Sequence, residues 1–154
     1  MLKFEPQIIT EVIHLTAALE DCQSRGHTAS IALSRVLAWA WAPGRLERCR
    51  ERLAAGERAP AIEVSRYLLQ GDAYYTVSDG RHRATAAREA GHTRIRARIG
   101  SECRCEPGKC WLDTQSGSLW REQPGKGWLT LVSVGTLSPE VQQALLSVGV
   151  RVLR

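Results

Sequence analysis

No stretch of this chain approaches the roughly 20 consecutive apolar residues of a membrane-spanning helix, so the reading is of a protein with no membrane partner. The opening Met1-Leu2-Lys3-Phe4-Glu5-Pro6 lacks a basic region followed by an apolar run and a small-residue cleavage site. A cytoplasmic protein is therefore expected rather than a secreted precursor. Internal repeats and low-complexity tracts are missing, which sets aside solenoids and disordered tails. Cysteines number 5, and an odd number cannot all pair within one chain, so reduced thiols are the expectation in a cytosolic protein. Acid is short too: Asp and Glu total 16 against 21 Lys and Arg, with no carboxylate cluster of the kind a metal-dependent nuclease uses.

What is present suits one domain of ordinary size with short appended elements: 154 residues, 44% hydrophobic and 24% charged. The net charge is +5 and arginine supplies most of it. Guanidinium groups suit planar contacts to phosphate or carboxylate, although arginine on a surface also serves solubility alone. Ile9, Val12, Ile13 and Leu19 recur near helical spacing within 8–23, with Gly26 as a stop signal; the β-branched content leaves a strand open for the first half. Residues 31–41 read as an extended segment entering the Pro43-Gly44 turn, and Arg45 to Ala55 as a helix with Leu46, Cys49 and Leu53 on one face. Ile62 and Val64 alternate with Glu63 and Ser65, and Ala73 to Ser78 is rich in aromatic and β-branched residues, so the two strands predict a hairpin about Gln70-Gly71-Asp72. A helix follows over 81–89, then a strand over 92–99 whose wet face is Arg94, Arg96 and Arg98. Residues 101–110 read as a cysteine-rich turn. A small hairpin about Gln115-Ser116-Gly117, a strand over 128–134, a helix starting at Ser138-Pro139 and a last short strand over 150–153 complete the chain.

The most informative segment is Asp79-Gly80-Arg81-His82-Arg83, where a strand runs directly into a helix. Such a turn presents unpaired backbone N–H groups and the positive end of the helix dipole, and both favour an anion. Glycine permits a sharp turn and close approach of a ligand to the backbone. Arg81, His82 and Arg83 in a first helical turn oppose the dipole by about 0.3–1 kcal/mol each when exposed, and a bound phosphate reverses that penalty. The same residues also fit an Asp79 cap paired with an arginine, the rest being solvated.

Pro60-Ala61-Ile62-Glu63-Val64, then Tyr74 through Arg83, then Ala86-Ala87-Arg88-Glu89-Ala90-Gly91, resembles the ParB/sulfiredoxin superfamily over roughly residues 31–100. The resemblance implies a small α+β domain that binds a nucleotide at this turn, with magnesium expected only where hydrolysis or phosphoryl transfer occurs. Sulfiredoxins carry Gly-Cys-His-Arg here, and the reactive cysteine falls on Arg81, so that chemistry does not carry over. Partition ParB proteins carry Gly-Glu-x-Arg, and their acid falls on Arg81 as well. His82 and Arg83 remain as phosphate contacts, Arg81 as a supporting cation, and Arg45 matches an arginine near the nucleotide. Glu63 and Asp79 are the nearest candidates for a base of the kind that serine kinases of the superfamily need. Partition proteins also need a helix-turn-helix domain, and 101–154 holds one convincing helix, so sequence-specific DNA reading is not expected.

Cys103-x-Cys105-x4-Cys110 could hold zinc with a borrowed ligand such as His92, but the spacing suits a disulfide or free thiols better. Trp39 and Trp41 alternate in an extended segment, where an exposed pair could stack a base. The expected fold is α+β: an N-terminal helical extension over 1–30, a ParB/sulfiredoxin-like core over 31–100 and a β-rich extension with one helix over 101–154. The expected function is nucleotide or phosphate binding, with weak hydrolysis or phosphoryl transfer as a further step. A non-catalytic DNA-associated or protein-interaction module is the alternative, supported by the arginine strand and marked by non-specific nucleic acid binding.

Overall fold

The computed structural model describes residues 3–133 and 135–154. The protein is α+β, with four α-helices and two mixed sheets among the described residues. No described helix is long and apolar enough to cross a membrane. The chain divides into two compact units, 20–103 and a second one formed by 1–19 with 104–154. Where the sequence reading draws three consecutive segments, the packing thus draws two units, and the N-terminal helix goes with the C-terminal extension.

The unit over 20–103 is a five-stranded sheet in the order β1 (Gln23–Ala32), β5 (Arg94–Arg104), β3 (Ile62–Leu69), β4 (Asp72–Asp79) and β2 (Val36–Leu37), with α2 (Pro43–Ala54) and α3 (Arg81–Glu89). The β3–β4 hairpin forms as its alternation predicts, closing through two residues with positive φ, Gln70 at 53° and Gly71 at 83°. Such a turn matches the right-handed twist of the strands it joins. One sheet face buries Ile31, Ile62, Val64, Val77 and Ile99 beneath Ala84 and Ala87 of α3. Each large aliphatic side chain so buried contributes about 1.5–3 kcal/mol. Small alanines on α3 let the helix lie close to the sheet, which fixes where its N-terminus emerges.

Two expectations fail here. The helix α1 covers only Pro6–Thr16, and Gln23 belongs to β1, with Gly26 at an irregularity between Ser24 and His27 instead of at a helix stop. Ladder hydrogen bonds to β5 make this polar segment a strand, a long-range cause that local pattern does not carry. The supposed cysteine-rich turn is likewise partly strand, since β5 continues to Arg104.

In the other unit, α1 buries Ile9, Val12, Ile13 and Thr16. A second sheet runs β8 (Leu129–Leu131), β7 (Ser118–Glu122), β6 (Cys110–Asp113) and β9 (Arg151–Val152), with α4 (Pro139–Ser147) between β8 and β9 in the chain. Ser138 caps α4 as read from the sequence, its Oγ accepting from the Val141 N–H at 3.3 Å. The expected strand over 128–134 is seen as the shorter β8, and Val134 lies outside the described residues.

Candidate functional site

The anticipated turn forms where β4 ends. Gly80 is the N-cap of α3, with φ 104° and ψ 22° and no side chain to satisfy the first-turn donors. A Cβ at this position would lie 2.5 Å from Ile62 Cγ2 and 2.8 Å from Arg83 Nη2, so only glycine brings the helix start this close to β3. The mouth of a cavity of about 650 Å³ lies at this turn, within the size range of small-molecule sites. Its cationic lining is Arg45, Arg48 and Arg52 of α2 with Arg81 and Arg83 of α3, and the one carboxylate on it is Asp79.

The three α2 arginines stand at i, i+3 and i+7, the spacing of one helical face. The helix α2 is held to α3 by two links. Arg50 makes a two-pronged contact with Glu89, at 2.8 and 3.0 Å. At the other end the Ala42 N–H, at the N-cap of α2, donates to His82 Nε2 at 3.2 Å. The two helix starts therefore lie side by side, and both dipoles favour an anion in the space between.

Asp79, Gly80, Arg81, His82, Arg83 and Arg45 all reach this one cavity, but their roles differ from the expected ones. Arg83 is tethered, Nη2 to Asp79 Oδ2 at 3.0 Å and Nη1 to the Pro60 carbonyl at 3.2 Å, so Asp79 orients an arginine and does not cap the helix. Arg81 donates from Nε to the Val77 carbonyl at 3.2 Å, and its guanidinium lies over Trp39 and Trp41 at 5.0 and 4.9 Å from their centroids. Such stacking holds the charge in place while leaving terminal N–H groups for a ligand. Trp41 is 56% exposed and forms part of the wall.

His82 lines the cavity and also has a partner within the protein. Only 8% exposed, it packs its ring edge against Trp41 at 4.8 Å and uses Nε2 to accept from Ala42. That bond requires a neutral ring with the proton on Nδ1. Burial, and then the charges of Arg45 and Arg81, hold its pKa below the ordinary 6.5. His82 thus joins the two helix starts. Its sign of linkage is fixed: the unfolded chain takes up a proton near 6.5 while the folded ring resists it. The stability it contributes is complete above that pH and is lost as pH falls through 6.5 toward the lower folded value. Urea titrations between pH 7.5 and 5 should show His82→Gln lacking this acid-side loss. His14→Gln serves as the control, because burial lowers the His14 pKa as well. Equal acid sensitivity in wild type and His82→Gln would contradict the assignment.

Sequence reasoning missed Arg48 and Arg52. The signal was present in their spacing from Arg45, but it acquires meaning only with α2 laid against α3. It also missed Arg88, which donates to the Leu33, Val36 and Ala38 carbonyls and so fastens α3 to the segment leading into β2. Glu63, a candidate base, is exposed on β3 opposite Asp79 and is not on the cavity wall.

The three-thiolate metal site does not form. Cys103 is joined to Cys22 in a disulfide, which also overturns the expectation of reduced thiols throughout. Cys105 and Cys110 are buried, and burial pushes each thiol up to about 11, so both stay protonated near neutral pH. At the α3 turn five arginines surround a polar cavity, Arg81 and Arg83 among them held in place by their own contacts, and such a cluster attracts an anion. No family model matches the chain, and no curated protein matches it.

Proposed function

We propose that this protein binds a nucleotide through its phosphates in the cavity between the starts of α2 and α3, within a ParB/sulfiredoxin-like core. The observation that carries the reading is the pairing of two helix N-termini through Ala42 and His82 beneath five arginines. Five like charges around one space repel each other, and an anion turns that repulsion into attraction. The order of hairpin, glycine turn, alanine-rich helix and closing strand supports the kinship. Binding is favoured over hydrolysis because Asp79, the one acid on the wall, already accepts from Arg83. Magnesium would then enter only with a polyphosphate. Cytoplasmic nucleotides are the natural ligand pool, and the state of the Cys22–Cys103 pair in cells checks that location, since reducing compartments keep such thiols apart.

Calorimetric titration with ATP, CTP, GTP and inorganic phosphate, with and without magnesium, tests the reading. Charge-assisted hydrogen bonds contribute about 1.5–3 kcal/mol each, so Arg83→Ala and Arg52→Ala should each weaken binding by about tenfold or more. Silence of the wild type toward every ligand would remove the proposal. The exposed Arg96 and Arg98 of β5 favour non-specific nucleic acid as a second reading, for which affinity should fall steeply with salt and ignore nucleotide.

A further inference from the structure

The residues of β5 alternate between two environments. Ile95, Ala97 and Ile99 pack with the core beneath α3, so Arg94, Arg96 and Arg98 stand on the opposite face of the sheet, all three exposed. The β1–β5 register sets Arg96 beside Ser30 and Arg98 beside Thr28, and both of these hydroxyls are exposed as well. On the other flank of β5, Glu63 and Ser65 of β3 share this face, because Ile62 and Val64 between and beside them belong to the core. Arginine and hydroxyl groups thus outnumber the carboxylate that Glu63 contributes.

Strand geometry spaces the three arginines evenly. Alternate residues of a strand lie about 6.8 Å apart, the scale on which successive phosphates follow one another along a nucleic-acid strand. Arg94 is fixed through Nε and Nη2 to the Ser30 hydroxyl and carbonyl, at 2.9 and 2.6 Å. Arg98 Nη2 lies over Gly26 of β1, 3.4 Å from where a Cβ would stand. What the face lacks decides the form of its partner. Tyr67 and Tyr74, farther along it, are buried, so among the described residues it offers no exposed ring on which an unpaired base could stack. Single-strand sites rely on such rings, whereas arginine and hydroxyl groups need only the phosphates and sugars of a backbone.

We infer that this sheet face docks the phosphate backbone of a nucleic-acid duplex without reading its sequence. The inference rests on the second reading above, nucleic acid binding through Arg96 and Arg98, and makes no use of the nucleotide cavity.

Fluorescence anisotropy on the full chain, with a labelled DNA duplex and with one of its separated strands, provides the test over about 50 to 200 mM salt. The duplex should bind about tenfold tighter than the single strand, and duplexes of unrelated sequence should bind alike. Each phosphate neutralised on a duplex adds about 0.9 to the downward slope of log affinity against log salt. Arg96→Ala/Arg98→Ala should therefore weaken duplex binding and make that slope shallower by about 2. The charge-matched Lys126→Ala/Arg151→Ala, which alters exposed residues of the other unit, should leave the slope as it was. Thermal melts confirm that both variants are folded. A single strand that binds as tightly as the duplex, or a marked preference for one sequence, overturns the inference and leaves the second reading standing. A slope that Arg96→Ala/Arg98→Ala does not change, or that the charge-matched variant lowers equally, assigns binding to overall charge and overturns it too. Failure of both probes on the wild type removes the second reading and the inference together, while the nucleotide cavity stands on its own titrations.

Discussion

Gly80→Ala should destabilise the protein by about 3 kcal/mol and abolish ligand binding at the α3 turn. Two costs combine. An alanine held at φ 104° is in backbone space that L-residues avoid, at about 1–2 kcal/mol. The new methyl would stand 2.5 Å from Ile62 Cγ2 and 2.9 Å from Ile62 Cβ. Ile62 is fully buried and packed with Val64, Val77 and Ala84, so it has nowhere to retreat; overpacking of this kind costs about 1–3 kcal/mol. Arg83 Nη2, at 2.8 Å, is the end of a flexible side chain and can move, but moving breaks its tether to Asp79 and Pro60. Binding is lost through that displacement and through the altered helix start.

Arg83→Ala separates the two effects. It removes an exposed i,i+4 ion pair, which contributes only about 0.3–0.5 kcal/mol, so stability should barely change while binding falls. A double-mutant cycle adds a second check. Ile62→Ala is itself costly, at about 2–5 kcal/mol, but it clears part of the space that the new methyl needs. Together with Gly80→Ala it should be less than additive, by about 1 kcal/mol. Urea denaturation measures all of these. A Gly80→Ala protein within about 0.5 kcal/mol of wild type would show that the close approach to Ile62 is not a constraint.

The glycine turn was legible in the sequence because everything that makes it is local: the strand alternation before it, the glycine, and the alanine-rich helix after it. The β3–β4 hairpin and α2 were legible for the same reason. What escaped depends on pairings between distant residues. Strand β1 has a polar, exposed first half, and only its ladder to β5 distinguishes it from the tail of a helix. The second role of His82 was not legible, because the partner of its Nε2 is the Ala42 N–H, 40 residues away. Arg48 and Arg52 join the site through helix packing. In each case residue type was visible and the partner was not.

Breaking the Cys22–Cys103 bond should lower stability by about 2–4 kcal/mol while sparing the arginine-lined cavity proposed to bind phosphate. The bond spans 81 residues, so it ties together the two ends of the unit over 20–103. Closing a loop of that length removes chain entropy from the unfolded state equivalent to about 4.5 kcal/mol, an upper figure that real proteins usually fall short of. The bond lies beside the Gln23–Glu102 pair of the β1–β5 ladder, where the flanking β1 residues are exposed and add little packing of their own. Loss of the cross-link should therefore fray the start of β1, leaving β4, α2 and α3 to hold their cations in place. Alkylation of the denatured, unreduced protein should label three thiols, those of Cys49, Cys105 and Cys110, and label Cys22 and Cys103 as well only after reduction. Uptake at Cys22 and Cys103 without reduction would mean that the bond does not form. The variants then distinguish a cross-link from ordinary packing. Cys22→Ser and Cys103→Ser each abolish the same bond, so each should cost nearly as much as the double variant, with adjustment for the deeper burial of Cys103. Two independent packing contacts would instead add. The oxidised wild type should also show a smaller dependence of stability on urea than either variant, because the cross-linked unfolded chain stays more compact and exposes less surface.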